Sequence, residues 1–320
     1  MVDFRYHLVT IISIFLALAV GIVVGTTALN GPVLDGLRDR NSGLIGEKRA
    51  LESDVRDLEG DVDTADDFAR LLAPDLVGGR LDGQGVLLVL APDADQQAAD
   101  QLATLLTTAG AVVTAQVELR PELLDPDQQQ LVDDLVAQVV PAGLELPEDS
   151  AVGRAATELA AALLVRPDNE PLDRDSAQQI VSAFEEAGLI ALENEGEQLR
   201  PATAAVLLAG PAPEQEEPDE NRQAELEALL AAARAFDAGG GGAVVAGPAD
   251  STSEGGLVRA LRADDTLEGE VSSVDNAHRA VGQVAVVRAV AEQLQGGVGR
   301  YGGTGSATAP VPGAAEPPGE

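Results

Sequence analysis

Residues 86–117 read VLLVLAPDADQQAADQLATLLTTAGAVVTAQV, and this pattern sets the fold class of the chain. An apolar run over Val86–Ala91 ends at Pro92, a helical pattern covers Asp95–Ala109, and a second apolar run covers Ala111–Val117. Short apolar runs without alternation, separated by a helix, are typical of a parallel sheet that is covered on both faces. The segment therefore predicts a strand, a helix and a second, parallel strand.

The same pattern continues toward the C-terminus. Further strands are predicted over Leu189–Leu192, Ala204–Ala209, Ala243–Ala246 and Val271–Val274. Helices are predicted over Pro126–Val140, Ser150–Val165, Asp175–Ala187, Glu220–Phe236, Glu254–Ala263 and His278–Gln295. We therefore expect a doubly wound, mainly parallel α/β domain over residues 84–300, with a helical insertion at about 120–190. Residues 302–320, rich in Gly, Ala and Pro, predict a disordered tail.

On the N-terminal side of this domain, Leu8–Leu29 is an uncharged, strongly apolar segment. At about 1.5 Å per residue its helix would span roughly 33 Å, enough to cross a hydrocarbon core of about 30 Å. A cleaved signal peptide is the alternative, but its apolar region is usually only about 7–15 residues long. We predict an uncleaved transmembrane helix over residues 8–29 after a cytoplasmic tail of residues 1–7. Basic residues flank the two ends of the helix almost equally, so they do not set its orientation. The short tail before the helix and the long acidic domain after it favour a cytoplasmic N-terminus, with the bulk of the chain outside the cytoplasm.

Small residues recur every four positions along this helix, at Ser13, Ala17, Gly21 and Gly25. Such a ridge lets two membrane helices approach closely, and Gly21-x-x-x-Gly25 is its most specific part. The alternative is that Gly and Ala are simply common in membrane helices. By itself the ridge leaves self-association open.

A heptad pattern over residues 33–73 supports self-association. Leucines recur every seven positions at Leu37, Leu44, Leu51 and Leu58. The companion core positions three residues before them include Asn41, Lys48 and Val55. This a/d pattern predicts a coiled coil, in which polar core residues restrict the register and favour a parallel pair. An amphipathic helix lying on its own domain is the alternative. Since two anchors in one membrane enter a coil in the same direction, ridge and heptads together predict a parallel homodimer.

The composition excludes several kinds of chemistry. The chain has 54 acidic and 20 basic residues, a formal net charge of −34, which excludes a general nucleic-acid binder. There is no Cys, so disulfides, thiolate metal sites and a cysteine nucleophile are excluded. With one Met and only His7 and His278, the ligands that copper and zinc prefer are scarce.

Three predicted strands end in a similar way, at Leu90-Ala-Pro-Asp93, Ala209-Gly-Pro-Ala212 and Ala246-Gly-Pro-Ala-Asp250. Open α/β sheets bind ligands beyond the carboxyl ends of their strands, so Asp93 and Asp250 are candidates for a cleft at this rim. The alternative is that Pro ends each strand and Asp caps the next turn or helix. The four glycines at 239–242 precede a strand and lack a following Lys-Ser/Thr, which indicates a turn and not a phosphate loop.

Residues 1–25 (MVDFRYHLVTIISIFLALAVGIVVG) and 297–302 (GVGRYG) resemble the two ends of the actinobacterial copper transport protein B (MctB-type) family. The order of anchor, coil, α/β domain and Gly-Arg-Tyr-Gly ending (residues 299–302) is also similar to that family. The resemblance implies a role in copper homeostasis, with copper removed across the envelope, and an outer-membrane channel is one form of that role.

These features predict a single-pass protein of the cell envelope, a non-enzymatic dimeric accessory in copper homeostasis or efflux. Its expected partners are the membrane, a second copy of the chain and an unidentified envelope or efflux protein. No cofactor is expected, and copper enters only through the resemblance. The alternative is a general envelope scaffold or adaptor with no metal role. A third hypothesis is an α/β enzyme with carboxylate-bound Mg²⁺ between Asp93 and Asp250.

Overall fold

The computed structural model describes residues 4–148, 150–166, 169–193, 199–213 and 220–313, with only the backbone at 4–5 and 26–39. The chain divides into two units, Met1–Ala65 and Asp66–Glu320. One helix, α1 (Phe4–Val77), makes up the described part of the first unit and supplies the first residues of the second.

Within α1, Tyr6–Gly25 is long and apolar enough to cross a membrane, with a mean hydropathy of 2.8. None of this segment is buried inside the structure, which distinguishes it from the core helix of a globular domain. A helix satisfies all of its backbone groups internally, so it is a stable form for such an apolar segment in lipid. The helix is compatible with a membrane anchor.

The second unit contains a seven-stranded sheet with the order β3-β2-β1-β4-β5-β6-β7. Its strands are β1 (Gly85–Leu90), β2 (Val112–Leu119), β3 (Ile190–Glu193), β4 (Ala204–Leu208), β5 (Ala243–Ala246), β6 (Ser272–Val274) and β7 (Arg300–Tyr301). All neighbouring strands are parallel except β2 and β3. The prediction of a mixed α/β fold with a mainly parallel sheet is confirmed.

The helices of this unit follow the strands closely. They are α2 (Gln96–Thr108), α3 (Pro121–Leu124), α4 (Gln129–Val139), α5 (Ala151–Leu163), α6 (Arg174–Glu186), α7 (Glu220–Gly239), α8 (Leu257–Ala263) and α9 (Ala280–Gln293). Four of them, α3 to α6, lie between β2 and β3, where the helical insertion is predicted. The helix predicted from Pro126 begins instead with a 3-10 turn, and α4 follows it.

Successive residues of each central strand bury into two different cores. Leu87 and Val89 of β1 pack into a core that also contains residues of helices α3 to α8. Leu88 and Leu90 pack into a second core with residues of α2, α9 and the end of α1. Because strand side chains alternate between faces, both faces of the central sheet are covered. This explains why the central strands are continuously apolar and do not alternate.

The C-terminal segment departs from the sequence-based expectation. Two residues, Arg300 and Tyr301, form strand β7 beside β6. The backbone N–H of Gly302 donates to the carbonyl of Ala309 at 3.1 Å, and that of Thr308 donates to Arg300 at 2.8 Å. Residues 302–309 are therefore hydrogen-bonded at the edge of the sheet, and Val311 packs against the second core, in place of the disordered segment predicted from Gly302. Residues 314–320 lie outside the described residues.

Candidate functional site

The sheet reverses its strand order between β1 and β4. From β1 the chain moves outward to β2, whereas from β4 it moves in the other direction through β5, β6 and β7. Open α/β sheets bind ligands at the carboxyl ends of the strands beside such a reversal, and we call this rim around Asp93 the crevice. The loops after β1 and β4 are in close contact there, because a Cβ at Gly210, after β4, would lie 2.8 Å from the carbonyl oxygen of Pro92, after β1.

Asp93 lies at the centre of this crevice. Its φ of 61° is in the left-handed region, which Asp adopts more readily than most residues and which fits the turn closed by the 3.1 Å hydrogen bond from the N–H of Ala94 to the carbonyl of Ala91. On one side of it is a cavity of about 360 Å³, lined mainly by apolar residues of β4 and the rim loops together with Asp95 and His278. On its other side is a cavity of about 610 Å³, lined largely by prolines and by the carboxylates of Glu122, Asp125 and Glu225.

The electrostatics of the crevice favour positive charge. The only basic side chain among the described residues lining the larger cavity is Arg222, which pairs with Glu225 at 2.8 Å. The Asp95 carboxylate accepts from the N–H of Gln97 at 2.8 Å and so caps α2, which removes that helix end as an anion site. The crevice therefore suits a cationic or neutral group better than a phosphate.

His278 is the one histidine of the second unit, and it lines the smaller cavity. Partial burial and then the nearby Arg279 lower the pKa of its imidazole, and Asp250, Asp66 and Asp95 oppose this effect. The pKa lies below its ordinary value of 6.5, so the ring is mainly neutral at neutral pH. A neutral ring leaves one nitrogen free to accept a hydrogen bond or a metal ion.

The two predicted rim carboxylates differ in position. Asp93 lines both cavities, whereas Asp250 is exposed in a 3-10 turn (Ala249–Thr252) and lines neither of them. In the parts of the chain that the structure describes, no three His, Asp or Glu side chains come together to form a metal site. The arrangement around Asp93 thus consists of a crevice with scattered carboxylates.

A second polar cluster, missed by the sequence analysis, lies under the C-terminal segment. Arg262 of α8 pairs with Asp275 at 3.0 Å, and both side chains are buried. The guanidinium also donates to Ser273 Oγ at 2.9 Å and to the carbonyl of Tyr301 at 2.8 Å. Asp275 in turn accepts from the Thr304 hydroxyl at 2.6 Å. This network joins α8, β6, β7 and the following loop.

The network accounts for the GVGRYG sequence at 297–302. The Tyr301 hydroxyl donates to the carboxylate of Glu292 on α9, so the ring packs back onto the sheet. A methyl group at Gly299 would overlap this ring, and one at Gly302 would overlap the Asp275 carboxylate. The two glycines are required by these close approaches, and the segment holds the edge of the domain together.

Glu158 of α5 is a buried carboxyl group that the sequence analysis also missed. It is fully buried in the domain, and neither of its oxygens has a hydrogen-bond partner. Desolvation raises its pKa from 4.5 to about 8, so the group is mainly protonated at neutral pH. In the sequence, Glu158 is indicated only by its place in AVGRAATELAAAL, where an acidic residue occupies a position on a buried, mainly apolar helix face.

The predicted dimer residues all lie on α1. A Cβ added at Gly21 or Gly25 would meet no atom within 4 Å, so this ridge is open. The described core positions of the heptads are exposed in the single chain, namely Asn41, Leu44, Lys48, Leu51, Val55 and Leu58. Ala17 is also exposed, and the side chain of Leu37 lies outside the described part of the chain. The helix therefore presents an unpartnered apolar stripe, which leaves the dimer a prediction.

The family described as "Copper transport outer membrane protein, MctB" matches residues 1–312 of this chain. The chain belongs to the MctB family. Members named copper transporter MctB from Mycobacterium bovis and Mycobacterium tuberculosis are 29% identical over 309 residues, which cover 94% of this chain and 96% of each relative. The MctB of Mycobacterium leprae is 28% identical over 321 residues, 98% of this chain and 100% of that protein. The resemblance seen at the two ends of the sequence is thus confirmed, and the match to the family extends through the α/β domain.

Proposed function

We propose that this protein acts in copper homeostasis as a membrane-anchored, dimeric and non-enzymatic accessory to copper efflux in the cell envelope. The observation that carries the proposal is the extent of the family match, which begins at residue 1 and runs to residue 312. It includes the apolar helix and the GVGRYG edge together, and the relatives named copper transporters match 94–98% of this chain. A match to the α/β domain alone would give much weaker support for the copper role.

The anchoring part of the proposal is supported by the apolar helix. Tyr6–Gly25 has no packing partner in the structure, and lipid is the environment that suits such a surface. The segment is longer than the apolar region of a signal peptide, which favours retention in the membrane. In this arrangement the α/β domain lies outside the cytoplasm.

The dimer is supported by the exposed stripe on α1. Leu44, Leu51 and Leu58 are each more than 60% exposed and seven residues apart. Leaving three leucines in water is unfavourable by roughly 1.5–3 kcal/mol each, and a parallel second copy buries them. Gly21 and Gly25 allow close contact of the two membrane segments below the coil.

The accessory role is supported by the ligands that are available. Cu(I) prefers Cys, Met and His, and the second unit offers only His278. A crevice that favours positive charge and has apolar walls is suited to contact a partner protein of the envelope. Copper is then the cargo of that partner, and this protein positions or supports it.

The second candidate is a general envelope scaffold or adaptor with no metal role. It is favoured by the same scarcity of soft ligands, because nothing in the chemistry of the crevice is specific for copper. The two candidates differ in one measurable property, which is the effect of losing the protein on copper tolerance.

The test is deletion of the gene in its host, with growth and cell-associated copper measured over a copper series. The copper role predicts hypersensitivity with raised cellular copper, restored by the full-length gene. His278→Ala is expected to restore tolerance as well as the natural sequence does, since copper is not held there. Unchanged tolerance in the deletion strain would refute the copper role and favour the scaffold. Loss of rescue by His278→Ala would refute the accessory role, since it would indicate direct handling of copper.

A further inference from the structure

The last three turns of α1, residues 66–77, have an apolar surface that their own domain leaves uncovered. On one flank Ala73 and Val77 are buried in the core with α2 and α9, and Asp66 accepts a 2.6 Å hydrogen bond from the N–H of Ala280. On the opposite flank Phe68 is 63% exposed and Leu71 is 79% exposed. Phe68 and Leu71 are three residues apart and so lie side by side on this flank, and covering both of them would be favourable.

The heptad assignment shows where these residues point. The leucine series that includes Leu58 takes the d positions, and two further repeats place Leu72 at d as well. Phe68 is then at g and Leu71 at c, so both lie outside the a/d stripe. At about 100° per residue, Ala73 lies about 100° and Val77 about 140° from Leu72 on one side of the helix. Phe68 lies about 40° and Leu71 about 100° from Leu72 on the other side. A two-stranded coil buries the a/d stripe but leaves a residue at c exposed.

In a parallel pair, the g flank of one helix lies beside the e flank of the other. Asp66 and Ala73, at e positions, are the residues through which each helix holds its own domain. The g flank of one copy therefore lies next to the domain of the second copy. We propose that Phe68 and Leu71 form an apolar patch that docks on the α/β domain of a second copy of this chain.

The complementary surface is near the start of α9. Val281 is an exposed apolar side chain beside Ala280, the residue that Asp66 binds. In a two-fold interface each copy donates and receives the same contact, so Phe68 of each chain meets the Val281 region of the other. The docking would hold the α/β domain of each copy against residues 66–77 of the other copy. This inference rests on the proposed dimer.

Because the chain has no Cys, pairs of introduced cysteines test the contact directly. Two full-length chains with different tags, one with Phe68→Cys and the other with Val281→Cys, are co-expressed in membranes and treated with a short bis-maleimide. A crosslinked species carrying both tags is expected. The matched control pairs Phe68→Cys with Leu131→Cys, an exposed apolar residue of α4, and is expected to give little product.

Leu44→Cys in the coil reports the dimer separately. If Leu44→Cys crosslinks and the Phe68–Val281 pair gives no more product than the control pair, the docking is wrong and the dimer stands. If neither crosslinks, the dimer fails and the docking fails with it. As a second measurement, Phe68→Ser combined with Leu71→Ser is expected to weaken the detergent-solubilised dimer about tenfold or more, because both side chains are exposed in the single chain and buried by docking. An unchanged dissociation constant would also overturn the docking.

Discussion

Arg262 and Asp275 form a buried ion pair, 3.0 Å from Nη1 to Oδ2, that joins α8 to the end of β6. Arg262→Ala would leave the Asp275 carboxylate buried without its cation, so we expect a loss of about 3–5 kcal/mol in the free energy of unfolding. Chemical denaturation of the full chain measures this. The control is Arg300→Ala, which removes the exposed pair with Glu268 and should cost about 1 kcal/mol or less. Equal losses in the two variants would contradict the role of burial.

Glu158 predicts a distinctive pH dependence of stability. Its pKa is about 8 in the folded domain and 4.5 ordinarily, so between these values the folded state holds a proton that the unfolded state has released. The group therefore lowers stability progressively as the pH rises from 4.5 to 8. Glu158→Gln should flatten this dependence, because the amide does not titrate. Denaturation midpoints of both proteins at pH 5, 6, 7 and 8 measure it, and parallel curves would contradict the assignment.

Substitutions at Glu158 also distinguish the effect of its titration from the effect of burying a polar group without a partner. Glu158→Leu replaces an unpartnered polar group by an apolar one of similar size, and at pH 7 we expect stabilisation of roughly 1–3 kcal/mol. Glu158→Gln keeps a buried polar group without a partner and should stabilise less than Glu158→Leu does. If Glu158→Leu is less stable than the natural protein, the carboxyl group has a partner in solution.

Gly302 and Gly305 form a matched pair in the C-terminal segment. Gly302 has a φ of 135° and a methyl group there would overlap the Asp275 carboxylate, whereas a Cβ at Gly305 would meet nothing within 4 Å. We expect Gly302→Ala to destabilise the domain by about 2 kcal/mol or more and Gly305→Ala to have little effect. Thermal unfolding of the two variants measures the difference. A small effect at Gly302 would show that the segment can move away from the sheet.

Leu51 tests the coil. An aspartate at this predicted core position would place two charges opposite each other, so Leu51→Asp should convert the detergent-solubilised dimer to monomer. Light scattering after size-exclusion chromatography measures the mass. Leu131→Asp, also at an exposed leucine, should leave the dimer intact. A dimer that persists in Leu51→Asp would contradict the heptad assignment.

The salt dependence of the natural dimer is a further expectation. Acidic residues outnumber basic ones over residues 40–77, so added salt should screen their repulsion and strengthen the natural dimer.

The regular elements were largely predictable. Apolar runs such as Val86–Ala91 lie in the sheet because a strand buried on both faces has no polar side to show. The helices of the insertion follow from periodicity in the same way. The two-residue strand at Arg300–Tyr301 was missed because so short an element has no period, and its hydrogen bonds come from β6 and residues distant in sequence.

The polar sites also differ in how far the sequence predicts them. Asp93 could be named in advance because strand ends in α/β sheets are marked by local turn residues. Arg262, Asp275 and Glu158 could not, since an ion pair or an unpaired acid is defined by burial and by partners on other elements. Neither the burial of a side chain nor its partners on other elements can be inferred from the neighbouring residues in the sequence.

The amino-acid order was enough to establish the apolar helix, the α/β class and the family, because these depend on patterns along the chain. Strand order, the crevice at Asp93, the docking of residues 302–313 and the flank that carries Phe68 were settled by packing. Periodicity in the sequence indicates which face of an element is apolar, whereas only the three-dimensional arrangement shows which residues that face contacts.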